Sequence, residues 1–407
     1  MKAVRVKSEL ALHGGQPMRT RPFAMWPQFA ADEIAAALRV LESGKVNYWT
    51  GHEGREFERE FAAFVGCRHA VAVANGTVAL ELALHALGIG PGDEVIVPSR
   101  TFVATASCVL MRGACPIFAD VDRISGNVTA ETVRPLLSPR TKAMIVVHLA
   151  GWPCDMDPLL DLGRHSGVKV IEDCAQALGA EYKGLHVGSL GDAAAFSFCQ
   201  DKIMSTGGEG GMLTTNAHAV WERAWSFKDH GKSDEAAFGA ARQQSFRWVH
   251  DTPGTNWRIT EMQSAMGRVI LPKVPERVAK RQGHAALLNQ WMAGIPALRM
   301  VSPPQDVSHA YYKYYAFVRP ERLREGWDRD LVVDAIRAEG IPCAAGSCSE
   351  IYREKAFAER LRPPQRHPVA RELGETSLMF QVHTSLCEED MSNTGRAVRK
   401  VMEAAAR

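Results

Sequence analysis

Strand-like and helix-like segments alternate along this chain from about residue 55 onward, and this alternation restricts the fold more than any other feature of the sequence. The strand-like runs are His69–Ala74, Glu94–Val97, Pro116–Phe118, Ala143–His148 and Val168–Ile171. The helix-like stretches between them are Val78–Leu87, Thr105–Met111 and Pro158–Ser166. Alternation at this spacing is typical of βαβ units, so we expect an α/β fold whose mostly parallel sheet is covered by helices on both faces.

The pattern changes after about residue 270. Charged helix-like segments follow, then the aromatic run His309–Tyr315 and a helix-like stretch at Arg329–Glu339. The first 25 or so residues resemble an extended arm more than a core element. We therefore predict an N-terminal arm over residues 1–25, a large domain over 26–270 and a smaller C-terminal α+β domain over 271–407.

Composition excludes several classes of function. A net charge of +2 over 407 residues provides no basic field of the kind that nucleic acid binding needs. No apolar stretch approaches the roughly 20 residues that span a bilayer, and the N-terminus has no continuous apolar segment typical of a secretory signal. The nine cysteines are scattered without a CxxC pair, as reduced core thiols are. We expect a cytoplasmic protein without a disulfide framework, a metal site, or a nucleic-acid or membrane partner.

One lysine, Lys202, follows the apolar run Phe196–Cys199 and precedes a turn that contains four glycines between positions 207 and 211. Withdrawal of an amine from water lowers its pKa and makes it a nucleophile towards an aldehyde or a ketone. Most lysines are instead solvated surface charges. Lys202 by itself therefore leaves both interpretations open.

Asp173 follows the strand-like run Val168–Ile171, at the carboxyl end of a predicted buried strand, and ligands bind at the carboxyl ends of strands in open α/β sheets. A carboxylate in that position could hold a proton on a heterocyclic ring nitrogen, as a pyridoxal phosphate ring requires. The alternative is an aspartate that caps the next helix. The local sequence favours neither.

Two further segments are ambiguous in the same way. The turn Asn75-Gly76-Thr77 separates a strand from a helix and could offer backbone N–H groups to a phosphate, although an ordinary turn is the simpler interpretation. Phe102 follows the strand at Glu94–Val97 and could stack on a flat ring, although core packing is favoured for an isolated phenylalanine.

Taken together, the motifs resemble the DegT/DnrJ/EryC1/StrS family of sugar aminotransferases, within the fold-type I pyridoxal phosphate enzymes. The resemblance covers nearly the whole chain, and its ordered matches make it highly specific. The matching segments are Leu10–Gly15, Phe57-Glu58, Phe61-Ala62, Asn75–Leu80, Gly92–Pro98, Thr101–Thr105, Glu172–Gln176, Gly188–Asp192, Lys202 with Gly208–Gly211, and Asn256–Gln263. The resemblance implies an aspartate-aminotransferase-like fold in which the large domain over 26–270 binds pyridoxal 5'-phosphate.

The resemblance also implies a role for each matching residue around the cofactor ring. Lys202 matches the lysine that forms the internal aldimine, and Asp173 matches the partner of the pyridine nitrogen. Phe102 matches the aromatic residue that stacks on the ring. Gln176 matches the side chain near the ring oxygen.

The remaining matches concern the cofactor phosphate. Gly76, Thr77 and Ser197 match phosphate contacts within one subunit. Asn256 matches a residue that reaches the phosphate from the neighbouring subunit, which implies a homodimer with shared active sites.

The implied reaction moves an amino group from L-glutamate, or from glutamine, to the keto group of a nucleotide-linked deoxysugar. A ketocyclitol, such as an inosose, is the alternative acceptor, and a cofactor-binding sensor without turnover is a third interpretation. A dehydratase branch of the family has histidine at the aldimine position, so Lys202 favours transamination. Many relatives carry a His-Tyr pair after a Gly-Ile, in a region that often helps to hold the acceptor; here Gly340-Ile341 leads to Gly346–Ser349. The acceptor therefore cannot be copied from better-known members.

Overall fold

A computed structural model describes residues 9–233, 237 and 249–407 of the chain. Its α-helices are Ala31–Ser43, Glu53–Val65, Gly76–Ala86, Ala104–Met111, Ala130–Val133, Met156–Ser166, His218–Lys228, Glu261–Ile270, Val274–Met292, Arg329–Ala338, Pro368–Thr376 and Glu388–Ala405. Among the residues described, none of these helices combines the length and the apolar character needed to span a bilayer.

Seven strands form the large sheet. They are β1 (His69–Val73), β2 (Glu94–Pro98), β3 (Cys115–Ala119), β4 (Thr141–Val147), β5 (Lys169–Asp173), β8 (Ala193–Ser197) and β9 (Gly211–Thr215), with β6 (Glu181–Tyr182) and β7 (Leu185–His186) outside it. The spatial order is β1-β9-β8-β5-β4-β2-β3. The pairings from β8 through β5, β4 and β2 to β3 are parallel, whereas β9 runs antiparallel to both β1 and β8. The prediction of an α/β fold with a mostly parallel sheet is confirmed.

Burial explains why the predicted strands are continuous apolar runs. Every residue of β2 and β9 is buried, as are six of the seven residues of β4, the exception being Lys142. Helices cover such strands on both faces, so no alternation with polar residues is needed. All five predicted strands are present, with ends shifted by one or two residues, and β5 continues through Asp173.

A second, antiparallel sheet follows in the C-terminal part of the chain. It contains β10 (Leu298–Arg299), β12 (Tyr314–Val318), β13 (Cys343–Ala344) and β14 (Ser377–Phe380), in the order β10-β12-β14-β13. A hydrophobic cluster of its own lies beneath it and includes residues of the helices Arg329–Ala338 and Glu388–Ala405. This part of the chain has the α+β character that the sequence indicated.

The two parts of the chain are joined by several contacts. Strand β11 (Val307–Ser308) pairs with β6 in a three-stranded sheet with β7. Leu10 packs in the C-terminal hydrophobic cluster, and the Glu339 carboxylate accepts hydrogen bonds from the N–H groups of Ala11 and Met18. The proposed domain boundaries at 25/26 and 270/271 stay a prediction, and the first eight residues of the arm lie outside the described part.

Candidate active site

Several predicted site residues lie along one edge of the large sheet. Asp173 is the last residue of β5, Ser197 is the last residue of β8, and Phe102 follows the end of β2. Gly76 is the first residue of the helix that follows β1. Because β2, β5 and β8 run in the same direction, their carboxyl ends meet at one edge, which is where open α/β sheets bind ligands.

The Asp173 side chain is buried, with 5% of the residue exposed. Its Oδ2 accepts a hydrogen bond of 2.9 Å from the Thr105 hydroxyl, and its Oδ1 accepts one of 3.1 Å from the Ala175 N–H. Burial raises the pKa of Asp173, while the Ala175 and Thr105 donors and the charge of Lys202 oppose that rise. The segment after Asp173 forms turns and not a helix, so the helix-cap interpretation is wrong.

Lys202 lies in the loop between β8 and β9, and 17% of its side-chain surface is exposed to solvent. Its Nζ is 3.8 Å from Oδ1 of Asp201 and 4.8 Å from the centroid of the Tyr312 ring. The Trp26 indole N–H donates a hydrogen bond of 2.9 Å to the Lys202 carbonyl. The lysine side chain is therefore largely withdrawn from water, and its amine faces a carboxylate and an aromatic ring.

The helix Gly76–Ala86 begins next to Ser197. Asn75 caps it, because its side-chain oxygen accepts a hydrogen bond of 3.0 Å from the Val78 N–H. The N–H groups of the first helical residues, Gly76 and Thr77, have no partner inside the helix. The Ser197 Oγ accepts a hydrogen bond of 3.3 Å from the Cys199 N–H, which leaves its own proton free to donate. These groups form a cradle suited to a phosphate.

Phe102 is 65% exposed, so the prediction that favoured core packing is wrong. An exposed aromatic face at this edge of the sheet is available to stack on a flat ring. Nothing in the sequence around Phe102 distinguishes the two situations, because only the tertiary position of the loop after β2 leaves the ring uncovered.

Gln176 is buried, and its Oε1 accepts a hydrogen bond of 2.7 Å from the Ala150 N–H. This bond identifies the oxygen of the amide and leaves its NH₂ group as a donor. Ala150 itself has φ +58°, a left-handed conformation that is unfavourable for a residue with a Cβ. The backbone at Ala150, which is bonded to Gln176, is therefore held in a strained conformation, as is common near functional sites.

Asn256 is exposed, and its backbone forms a bridge with Asp229. The next residue, Trp257, accepts a hydrogen bond of 2.9 Å at its carbonyl from the Ala74 N–H. The segment is thus fixed beside the end of β1 with the Asn256 side chain at the surface. Its action in a neighbouring subunit stays a prediction.

Five side chains around the site were not predicted. The Tyr312 hydroxyl donates to the Asp201 carboxylate, and Lys313 Nζ lies 4.7 Å from the centroid of the Tyr312 ring. Burial lowers the pKa of Lys313. Tyr312 lies in the aromatic run His309–Tyr315, and Thr105 lies in the matching segment Thr101–Thr105, but the local sequence shows no sign of either role. Trp26 contacts Lys202 across 176 positions of sequence, which no local pattern reveals.

A second buried polar cluster supports the end of β5. His148, Glu172 and Cys174 are all buried, with possible ligand atoms within 4.8 Å of one another. The His148 Nδ1 accepts a hydrogen bond of 2.9 Å from the Cys154 N–H, so the proton is on Nε2, which lies 3.0 Å from Glu172. The Glu172 carboxylate also accepts hydrogen bonds from the backbone N–H groups of Gly188, Leu190 and Gly191. Both His148 nitrogens and both Glu172 oxygens are already paired. The cluster therefore serves as a structural network at the end of the strand that carries Asp173.

The residues present fit pyridoxal phosphate by their own chemistry. A buried carboxylate that accepts only two protein hydrogen bonds can hold a ring N–H, and an exposed phenylalanine can cover the ring. A Cβ added to Gly76 would lie 2.6 Å from the Ser197 Cβ, so the cradle needs glycine at this position. The fit covers the ring and the phosphate.

Comparisons with known proteins give a consistent result. The model of the DegT/DnrJ/EryC1/StrS aminotransferase family matches residues 27–399. The GDP-perosamine synthase of Caulobacter vibrioides is 36% identical over 367 residues, which cover 87% of this chain and 92% of that protein. The L-glutamine:2-deoxy-scyllo-inosose aminotransferase of Streptoalloteichus tenebrarius is 33% identical over an alignment of 416 positions, which covers 97% of this chain and 97% of that protein. The X-ray structure of an aminotransferase from Psychrobacter cryohalolentis is similar with a TM-score of 0.91 and 48% identity, covering 94% of this chain and 99% of that one.

Proposed function

The chain belongs to the DegT/DnrJ/EryC1/StrS aminotransferase family and is a pyridoxal-phosphate-dependent aminotransferase, and from this premise we propose that it aminates the keto group of a nucleotide-linked deoxysugar. L-glutamate, or glutamine, is the proposed amino donor. The transamination rests on a buried carboxylate, Asp173, whose burial-raised pKa is lowered by the charge of Lys202, at the ligand-binding edge of the sheet. The acceptor class rests on the similarity to a GDP-perosamine synthase.

Each residue has a distinct proposed task. Bound pyridoxal phosphate supplies an electron sink that stabilises negative charge on the carbon attached to the transferred nitrogen. Asp173 keeps a proton on the ring nitrogen, and Phe102 covers the ring. The Lys202 amine takes the proton from the donor carbon that carries the amino group. It later delivers a proton to the acceptor carbon that receives the amino group, as a positioned general base and acid does.

The polar groups around the ring and the phosphate complete the proposal. The Gln176 NH₂ group donates to the ring oxygen, since its own carbonyl is already bonded to Ala150. Gly76 and Thr77 donate backbone N–H groups to the phosphate, and the Ser197 hydroxyl adds a third donor. Asn256 of one subunit serves the phosphate site of the other, which makes the working unit a homodimer with shared sites.

A ketocyclitol acceptor is the second candidate. It is supported by the inosose aminotransferase of Streptoalloteichus tenebrarius, which matches nearly the full length of both chains. The nucleotide-sugar proposal is supported by the similar identity to a GDP-perosamine synthase. A dehydratase is disfavoured because position 202 is a lysine.

The decisive experiment separates the two acceptors. The purified protein is converted to its amine form with L-glutamate, freed of donor and mixed with a panel of nucleotide-linked ketosugars and inososes. We expect ketosugars to restore the visible absorbance of the cofactor and inososes to leave it unchanged. Restoration by inososes alone would overturn the proposed acceptor.

A lysine variant tests the catalytic assignment. Lys202→Ala should lose both turnover and the visible absorbance of the lysine-bound cofactor, because the amine proposed to hold the cofactor and to move the proton is removed. The matched control is Lys142→Ala, which removes an exposed lysine and should leave both properties unchanged. Normal transamination by Lys202→Ala would refute the assignment.

A further inference from the structure

Arg100 is a buried cation without an ion pair in the described part of the chain. The residue is 1% exposed, and it lies in the loop that connects β2 to Phe102. Its Nη1 donates a hydrogen bond of 2.7 Å to the Ser349 Oγ, and its Cζ lies 5.2 Å from the centroid of the Tyr315 ring. A buried charge with neutral partners is unfavourable unless an anion joins it.

The residues described around Arg100 do not provide that anion. Burial lowers the pKa of Arg100, and the groups that act on it most are Tyr315, Cys348 and Arg329, of which none is a carboxylate. An arginine keeps its charge even when its pKa falls, because its ordinary value is so high. The described residues therefore leave the guanidinium without an anionic partner, which a bound ligand could supply.

A cavity of about 30 Å³ lies against Arg100. Its walls include Gly126, Ala150, His309 and Tyr311, and none of its lining residues is acidic. One buried water needs about 10–15 Å³, so the space holds two or three atoms of that size. A carboxylate, which presents two oxygens, fits such a space better than a phosphate with its four oxygens.

The cavity adjoins the cofactor site through Ala150. The Ala150 N–H is bonded to the Gln176 side chain, and Arg100 precedes Phe102 by two positions. Ala150 and Tyr311 both have positive φ, +58° and +46°, in the cavity wall. Burial lowers the pKa of His309 to about 3, and its Nδ1 accepts a hydrogen bond from the Tyr311 N–H, so this ring is neutral. Arg100 is thus the sole formal charge among the lining residues that the structure describes.

We propose that Arg100 and this cavity form a carboxylate-binding subsite, which recognises the carboxylate of one substrate of the transamination. The planar guanidinium can bind both oxygens of a carboxylate at once. The inference rests on the proposed function and deepens it by naming a charged group that one substrate must carry. That group belongs either to the amino donor or to an acidic sugar acceptor, and the two half-reactions distinguish these sources.

The test compares wild-type holoenzyme with Arg100→Met and Arg100→Lys. In the donor arm, L-glutamate is titrated and the loss of the visible cofactor absorbance is followed. In the acceptor arm, the amine form is mixed with nucleotide-linked ketosugars that carry either a carboxylate or a hydroxymethyl group on the ring. A separate readout measures the thermal stabilisation of each protein by maleate, a carboxylate without an amino or keto group.

Arg100→Met should raise the half-saturating concentration of the carboxylate substrate roughly 10- to 150-fold in one arm only, and should lose the stabilisation by maleate. Arg100→Lys keeps the charge without the fork, so its effect should be smaller but still measurable. This variant also serves if Arg100→Met does not fold.

Arg299→Met is the matched control. The Arg299 guanidinium stacks on Phe317 at 4.2 Å and donates to a backbone carbonyl, but it does not line the cavity. If both Arg100 variants behave as this control does in both arms and with maleate, the subsite is refuted. Stabilisation of wild type by maleate without any half-reaction would instead retain the subsite and refute the proposed function.

Discussion

The Thr105 Oγ1 lies 2.9 Å from the Asp173 Oδ2, so a hydroxyl from the helix Ala104–Met111 supports a carboxylate at the end of β5. Both residues are almost completely buried. Asp173 must be ionised to hold a ring proton, yet burial raises its pKa. The Thr105 donor stabilises the charged form and thus opposes the rise in the pKa of Asp173.

Thr105→Val should move the acid limit of activity to higher pH. Valine has the shape of threonine without the hydroxyl, so the pKa of Asp173, already raised by burial, rises further. Loss of a hydrogen bond to a charged group corresponds to a shift of about one pH unit or more. The measurement is kcat/KM against pH, with Thr105→Ser as the control that keeps the donor. An unchanged acid limb in Thr105→Val would contradict the role of this bond.

Asp173→Asn should have opposite effects on the cofactor-free and the loaded protein. A carboxyl group whose pKa is raised in the folded state stabilises the fold at low pH, and that contribution is lost as pH rises through the folded pKa. At neutral pH the cofactor-free variant should therefore have a higher Tm than wild type. The loaded variant should bind the cofactor more weakly and lose most turnover.

The two Tm values of each protein, with and without pyridoxal phosphate, measure this difference. Asparagine can still accept from the Ala175 N–H and donate to the Thr105 oxygen, so the local bonds are retained. A fall in the Tm of the cofactor-free variant would show that the ionised carboxylate does not destabilise the fold.

Gly76→Ala should weaken cofactor binding. Its Cβ would lie 2.6 Å from the Ser197 Cβ, a contact that forces the helix start away from β8 and opens the phosphate cradle. We expect the dissociation constant of pyridoxal phosphate, measured by absorbance titration, to rise at least about tenfold for the loss of one to two hydrogen bonds. Gly283→Ala is the control, because nothing lies within 4 Å of its added Cβ and the helix Val274–Met292 should gain stability.

Mixed dimers test whether Asn256 serves the neighbouring subunit. Lys202→Ala and Asn256→Ala homodimers should each have low activity. A heterodimer of the two variants contains one site with both wild-type residues, if the sites are shared, and should recover about half of the wild-type activity. Co-expression with two affinity tags isolates the heterodimer for the assay. No recovery above the mean of the two homodimers would place Asn256 in the site of its own subunit.

Local sequence was a good guide to the secondary structure around the site. The strand predicted at Val168–Ile171 is found as β5, and the Asn75-Gly76-Thr77 turn lies at the start of a helix, as predicted. It was a poor guide to Phe102, because an isolated aromatic residue after a strand has the same local pattern whether it is buried or exposed. It also left Asp173 open between a helix cap and a cofactor contact, and the turns after β5 exclude only the helix cap.

The sequence by itself determined the fold class, because burial of a parallel sheet on both faces requires apolar runs at regular spacing, and it determined the family through many ordered motifs. The neighbours of those motif residues were decided by the tertiary structure alone. Thr105 donates a hydrogen bond to Asp173, and Trp26 donates one to the Lys202 carbonyl. Arg100 lines a cavity that has no acidic residue in its described walls. Such contacts join residues that are far apart in the chain, and their pKa shifts depend on burial and charge in three dimensions, which no local pattern records.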